Sequence, residues 1–155
     1  MFTCLDPATN QKILPHVIEP SFGLNRLMYA IFVSSFEEEQ LSDGTLRTIL
    51  KLPFIIAPYD VSVLPLVKKN NSTAHSFFKK VIAAGLKSCL DLNGSIGRRY
   101  RRQDAVGTPF CVTVDFDSMK KNNPTVTIRN RDTMKQIKCK THLAIQRLFK
   151  LLKKE

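Results

Sequence analysis

Apolar side chains at Leu24, Leu27, Met28, Ile31, Phe32 and Phe36 recur every three or four positions, which predicts one amphipathic helix ending near Phe36. Ahead of it, His16–Phe22 reads as a short strand broken at Pro20, where a sheet would lose a donor. Gly23 permits a sharp turn into the helix. The acidic run Glu37-Glu38-Glu39 and the cluster Ser42-Asp43-Gly44 predict a loop, and that loop divides the chain into residues 1–46 and 47–155.

The second part opens with Leu50–Ala57, a nearly continuous apolar run that predicts a buried central strand. Ser72 or Thr73 is placed to cap a helix whose Phe77, Phe78, Val81 and Ile82 share a face, and Gly85 to stop it. A short strand over 86–92 leads through Asn93-Gly94-Ser95-Ile96-Gly97 into a basic helix over 95–106, ended by Gly107. Phe110, Val112, Val114 and Phe116 alternate as in a strand, and two more strands follow over 125–129 and 133–140. Leu143, Ala144, Ile145, Leu148, Leu151 and Leu152 mark a last helix over 141–154. The order βαβαβββα predicts an α/β fold, a mixed β-sheet with flanking helices.

Charge changes this picture more than composition does. The chain of 155 residues carries +11, yet residues 1–52 hold four basic against six acidic side chains, so the excess belongs to the remainder. A one-sided cationic field on a folded domain points to a polyanion, because neutralising phosphates releases counterions. Cys4, Cys89, Cys111 and Cys139 stand far apart, and His16, His75 and His142 are scattered, so no metal site and no cysteine pairing is expected. No apolar stretch approaches the ~20 residues of a membrane span, and residues 1–15 do not read as a secretory signal. A cytoplasmic protein with no membrane association is expected, with an organellar pool compatible.

Two groups of motifs carry a family resemblance. Pro15-His-Val-Ile-Glu-Pro-Ser-Phe-Gly-Leu-Asn-Arg26 resembles motif 3 of class II glycyl-tRNA synthetases of the eukaryotic and archaeal type. Leu52–Pro58, Val63–Leu66, Gly94–Asp104, Gly107–Phe110, Val112–Asp117 and Thr127–Lys138 resemble the anticodon-binding domain of the same family. The resemblance implies the class IIa anticodon-binding fold, preceded by a strand and helix of a class II catalytic domain. It implies that Glu19 and Ser21 bind glycine, the carboxylate through a charge-assisted bond to the ammonium. It also implies that Arg26 holds ATP, which with Mg2+ is the cosubstrate of the complete enzyme. No stretch resembles motif 1 or motif 2, so the chain alone is expected neither to hold ATP nor to charge tRNA.

By the same resemblance the partner is tRNA-Gly, and the parent family is homodimeric. Arg98, Arg99, Arg101 and Arg102 form the densest cationic cluster, with Gly94–Gly97 a candidate phosphate nest at a helix start. Arg129, Arg131, Lys135 and Lys138 are further candidates to flank an anticodon loop. Asp115, Asp117 and Asp132 are candidates to accept from the amino groups of anticodon cytosines, with turn capping and salt bridges the slightly favoured alternative. Phe110, Phe116 and Phe149 are expected in the core, and Lys150, Lys153 and Lys154 at a solvated helix end. The alternative is a stand-alone RNA-binding module or accessory subunit without ligase activity.

Overall fold

The structure, a computed structural model, describes residues 3–120 and 122–153, so the expectation for Lys154 lies outside the described residues. Two compact units divide at Ala30/Ile31. In the first, β1 (Cys4–Leu5) pairs antiparallel with β2 (Lys12–Ile13). The turn between them is closed by Asp6, whose carboxylate accepts from the Ala8 amide and the Thr9 hydroxyl. The strand expected over 16–22 does not form. A strand is stabilised by a pairing partner, and among the described residues of this unit the only ladder is β1–β2. Helix α1 (Leu24–Ser35) starts where the Gly23 carbonyl accepts from the amides of Arg26 and Leu27.

In the second unit the acidic run is not a loop. β3 (Phe36–Gln40) and β4 (Leu46–Leu50) form an antiparallel hairpin in which Glu39 lies opposite Arg47. Arg47 and Lys51 supply the charge that local reading could not see: Glu39 accepts from Arg47 at 2.8 Å, and Lys51 reaches both Glu37 and Glu39. The run Leu50–Ala57 is not the central strand either. Pro53 and Pro58 bracket a single 3-10 turn, Phe54–Ile56, that leaves Ile55 almost fully exposed.

The first strand of the main sheet is instead β5 (Val61–Pro65), with all five residues buried. Next come α2 (Asn71–Ala83), β6 (Ser88–Leu90), α3 (Ile96–Val106), β7 (Phe110–Val114), β8 (Thr125–Asn130), β9 (Gln136–Lys140) and α4 (Thr141–Leu152). From β5 onward the order is βαβαβββα; the elements from α2 on follow the predicted order, with β5 taking the place of the strand expected at 50–57. The five strands lie in the order β6-β5-β7-β8-β9; β5 is parallel to β6 and β7, and the remaining pairs are antiparallel.

Alternation along the strands assigns the two faces. Val61, Val63, Phe110, Val112, Val114, Val126 and Ile128 pack with Ala74, Phe77 and Val81 of α2 and with Ala144 and Leu148 of α4. The intervening residues face α3, where the Tyr100 hydroxyl bonds Thr113 and Asp104 binds Arg129. Gly107 ends α3 in the left-handed conformation at φ 89, and a Cβ there would meet the Leu50 carbonyl at 3.0 Å.

Candidate nucleic-acid interface

Because β5, β6 and β7 are parallel, their carboxyl ends share one edge of the sheet. In open α/β sheets that edge is where ligands bind. Helix α3 starts there, capped by Ser95, whose side chain accepts from the Arg98 amide. Gly94 has φ 85, a conformation that favours glycine, and a Cβ at Gly97 would meet open space. Packing therefore does not explain Gly97. The helix start adds about half a positive charge at this edge.

The four arginines of α3 have separate fates. Arg98 is exposed and makes no ion pair among the described residues. Arg99 is buried: its Nη1 donates to the carbonyls of Pro65 and Asp91, and among the described residues its Nε has no partner and no carboxylate pairs with it. Its charge thus lies uncompensated just beneath the edge. Arg101 reaches back to the hairpin, donating to the Thr45 hydroxyl at 3.0 Å and to the Leu46 carbonyl. Arg102 binds Asp91 through two bonds of 2.8 and 2.9 Å and also donates to the Asn93 carbonyl. Burial pushes the Asp91 carboxyl up, but the Arg102 guanidinium, the Asn93 amide and Gln103 together outweigh it and hold the group below its ordinary value. A cavity of about 400 Å³ lies alongside, lined by residues that include Tyr59, Asp91, Asn93 and Arg102.

The remaining candidates divide the same way. Arg129 is buried, donates two bonds to Asp104 and stacks over the Tyr100 ring at 4.8 Å. Arg131 is buried between Asp132 and the carbonyls of Leu52 and Gly107. Lys138 binds Asp117, which also takes Lys120 at 2.7 Å. Lys135 is exposed and makes no ion pair among the described residues. Asp115 caps the turn after β7, accepting from Ser118. Phe110 is core as expected, but Phe116 is 54% exposed. Strand β7 ends at Val114, and the capped 3-10 turn beginning at Phe116 rotates that ring outward at the carboxyl edge. Its apolar alternation masked this; the signal that could have found it is Asp115-x-x-Ser118, a capping pair. Phe149 is also partly exposed, at 36%.

In the first unit Glu19, Ser21 and Arg26 are all exposed, and neither charged group is in an ion pair among the described residues. Among the described residues no group of three or more His, Cys, Asp or Glu could hold a metal, and no helix is long and apolar enough to cross a membrane.

Residues 60–155 match the family model described as the anticodon binding domain. The chain belongs to that family. It is homologous to the C-terminal anticodon-binding region of glycine–tRNA ligases. The ligase of Mesoplasma florum is 48% identical over 136 residues, 88% of this chain and 30% of the relative. That of Malacoplasma penetrans is 46% identical over 150 residues, covering 94% of this chain and 32% of the relative, and that of Geobacillus kaustophilus is 44% identical over 137 residues. Coverage of 94% leaves too few unmatched residues to omit 15–26 from the similarity. The chain spans about 30% of the length of the curated relatives it matches. Among solved structures, the RNA binding domain of threonyl-tRNA synthetase from Cryptosporidium parvum Iowa II superposes with a TM-score of 0.58 at 22% identity, covering 64% of this chain and 25% of that one. At that identity the likeness is one of fold: the α/β anticodon-binding fold with a mixed five-stranded sheet.

Proposed function

We propose that this anticodon-binding domain reads the anticodon of tRNA-Gly at the carboxyl edge of β5, β6 and β7, as part of a glycine–tRNA ligase. The observation that carries the reading is the charge at that edge. Exposed, unpaired Arg98 stands at the start of α3, above buried Arg99, which lacks a carboxylate partner. Together they offer a phosphate both an external and a submerged cation. Phe116 offers a stacking plane two strands away, about 10 Å by sheet spacing. Lys138 can add a phosphate contact only in competition with Asp117, and Lys135, in the turn after β8, lies at the opposite edge of the sheet. Arg129 and Arg131 act by shaping the domain.

Residues 15–26 serve the aminoacylation half of the same enzyme: Glu19 and Ser21 toward glycine, Arg26 toward ATP. Their exposure without internal ion pairs supports this, since a ligand-binding charge must be free to pair with its ligand. The fit to ATP is partial. ATP would supply adenylyl activation of the glycine carboxylate, with pyrophosphate as the leaving group, and in residues 1–30 Arg26 and Lys12 are the cations available to it.

The test is binding of labelled tRNA-Gly and an anticodon-substituted tRNA-Gly across a salt series. Preference for the native anticodon, reduced by Arg98→Ala or Phe116→Ala, is the expected result. Equal, steeply salt-dependent binding of both would refute anticodon reading and leave a general RNA-binding module.

A further inference from the structure

Half of the chain's 24 basic side chains fall in two stretches that contain no acid, 61–90 and 133–154. The fold brings the helices of these stretches together. Helices α2 and α4 cover the same sheet face, and their carboxyl ends converge on a groove lined by Gly85 and Leu86 from one and Phe149 and Leu152 from the other. The outward surface of this helical layer carries Lys79 and Lys80 on α2 and Arg147, Lys150 and Lys153 along and just after α4. All are exposed, and none is in an ion pair among the described residues. Asp60 also lines the groove, but it is engaged by the Lys87 amide at 2.8 Å and the Lys87 ammonium at 3.8 Å. A second groove, of about 360 Å³, has Arg147 and Lys150 on its rim and Cys139, Leu143 and Leu151 within.

Such lysines can simply offset helix dipoles, and the magnitudes decide against that as their whole role. Two helix ends supply about one negative charge together, at half a charge each, against five cations. Most of the positive field is left over. We propose that the α2–α4 face binds the sugar–phosphate backbone of RNA, as a contact surface separate from the carboxyl edge. The separation follows from topology. Helix α3 lies on the opposite sheet face, and α2 returns from the carboxyl edge to the other end of the strands over 13 residues, about 20 Å. The apolar floor of the second groove beside two cations suits a backbone segment with an unstacked base. Choosing RNA among polyanions rests on the function proposed above.

The test compares the unaltered chain with the variant Lys79→Gln/Lys80→Gln/Arg147→Gln/Lys150→Gln, and with Lys150→Gln alone, after thermal unfolding confirms that each folds. Binding is measured against salt for full-length tRNA-Gly, an isolated anticodon hairpin, polyuridylate and phosphatidylserine vesicles. The expected result is a salt slope reduced by ~3 in the quadruple variant and by about 1 in the single one, with ~10-fold or greater loss of RNA affinity near 0.1 M salt. Loss on full-length tRNA that spares the hairpin supports the proposal with the rest of the same tRNA as the source. Loss on polyuridylate as well supports it with a separate RNA. Unchanged slopes for all three RNAs overturn it, as does a loss confined to the vesicles. Preference between anticodons is scored independently: if the unaltered chain shows none, anticodon reading fails while the slopes still judge this face.

Discussion

Replacing Asp104 with alanine should be among the most destabilising single changes in the chain. Its carboxylate is 1% exposed and accepts from Arg47 Nε at 2.9 Å and from Arg129 Nη1 and Nη2 at 2.8 and 3.0 Å. Both partners are themselves buried. Without Asp104, Arg47 keeps Glu39 and the Arg131 carbonyl, whereas Arg129 keeps only the face of Tyr100. A buried pair broken on one side costs about 3–5 kcal/mol, mostly from the charge left uncompensated. For a cooperative unit of this size, with an unfolding entropy near 2.1 cal/mol/K per residue, that is roughly 10–20 °C in Tm. Urea denaturation should show a lower midpoint at unchanged m. In a double-mutant cycle, Arg129→Met in the Asp104→Ala background should recover part of the loss, because it removes the orphaned charge. A loss under about 1 kcal/mol, or a cycle without coupling, would refute the view that this network ties the β3–β4 hairpin to α3.

Gly107→Ala should cost about 2–3 kcal/mol in the same urea assay, since φ 89 and the approach to Leu50 and Leu52 both oppose a Cβ. The Asp117 carboxyl, held at about 2 by Lys120 and Lys138, should stay ionised in an NMR titration well below the usual carboxylate range. Its folded-state value is depressed, so its contribution to stability is complete above the ordinary value of 3.8 and lost as pH falls through about 2. Lys138→Ala should move that midpoint upward; an unmoved midpoint would reject the assignment. A thiol reagent should modify exposed Cys4 at once and leave Cys111 untouched until denaturant is added, because burial pushes the Cys111 thiol far up. Prompt labelling of Cys111 in the native chain would contradict its place in β7.

The sequence alone determined the order of elements from residue 71 onward, the amphipathic faces of the helices, the family, and the cationic bias of the second part. These follow from short-range periodicity and from motifs that are contiguous in the chain. Two local readings failed because their causes lie elsewhere in the chain. Glu37–Glu39 form a strand because Arg47 on the partner strand and Lys51 just after it bring the opposite charge. The apolar run at 50–57 lost the central position to Val61–Pro65, whose place is set by pairing with β6 and β7. Tertiary structure alone separated the arginines. Arg98, Arg99, Arg129 and Arg131 look alike as cations in a basic segment, yet one is free at an edge and three are buried among carbonyls or beside Asp104. Which cation remains available to RNA depends on where carboxylates and carbonyls distant in the chain come to rest. Electrostatic pairing is a through-space interaction, and sequence order does not encode that distance.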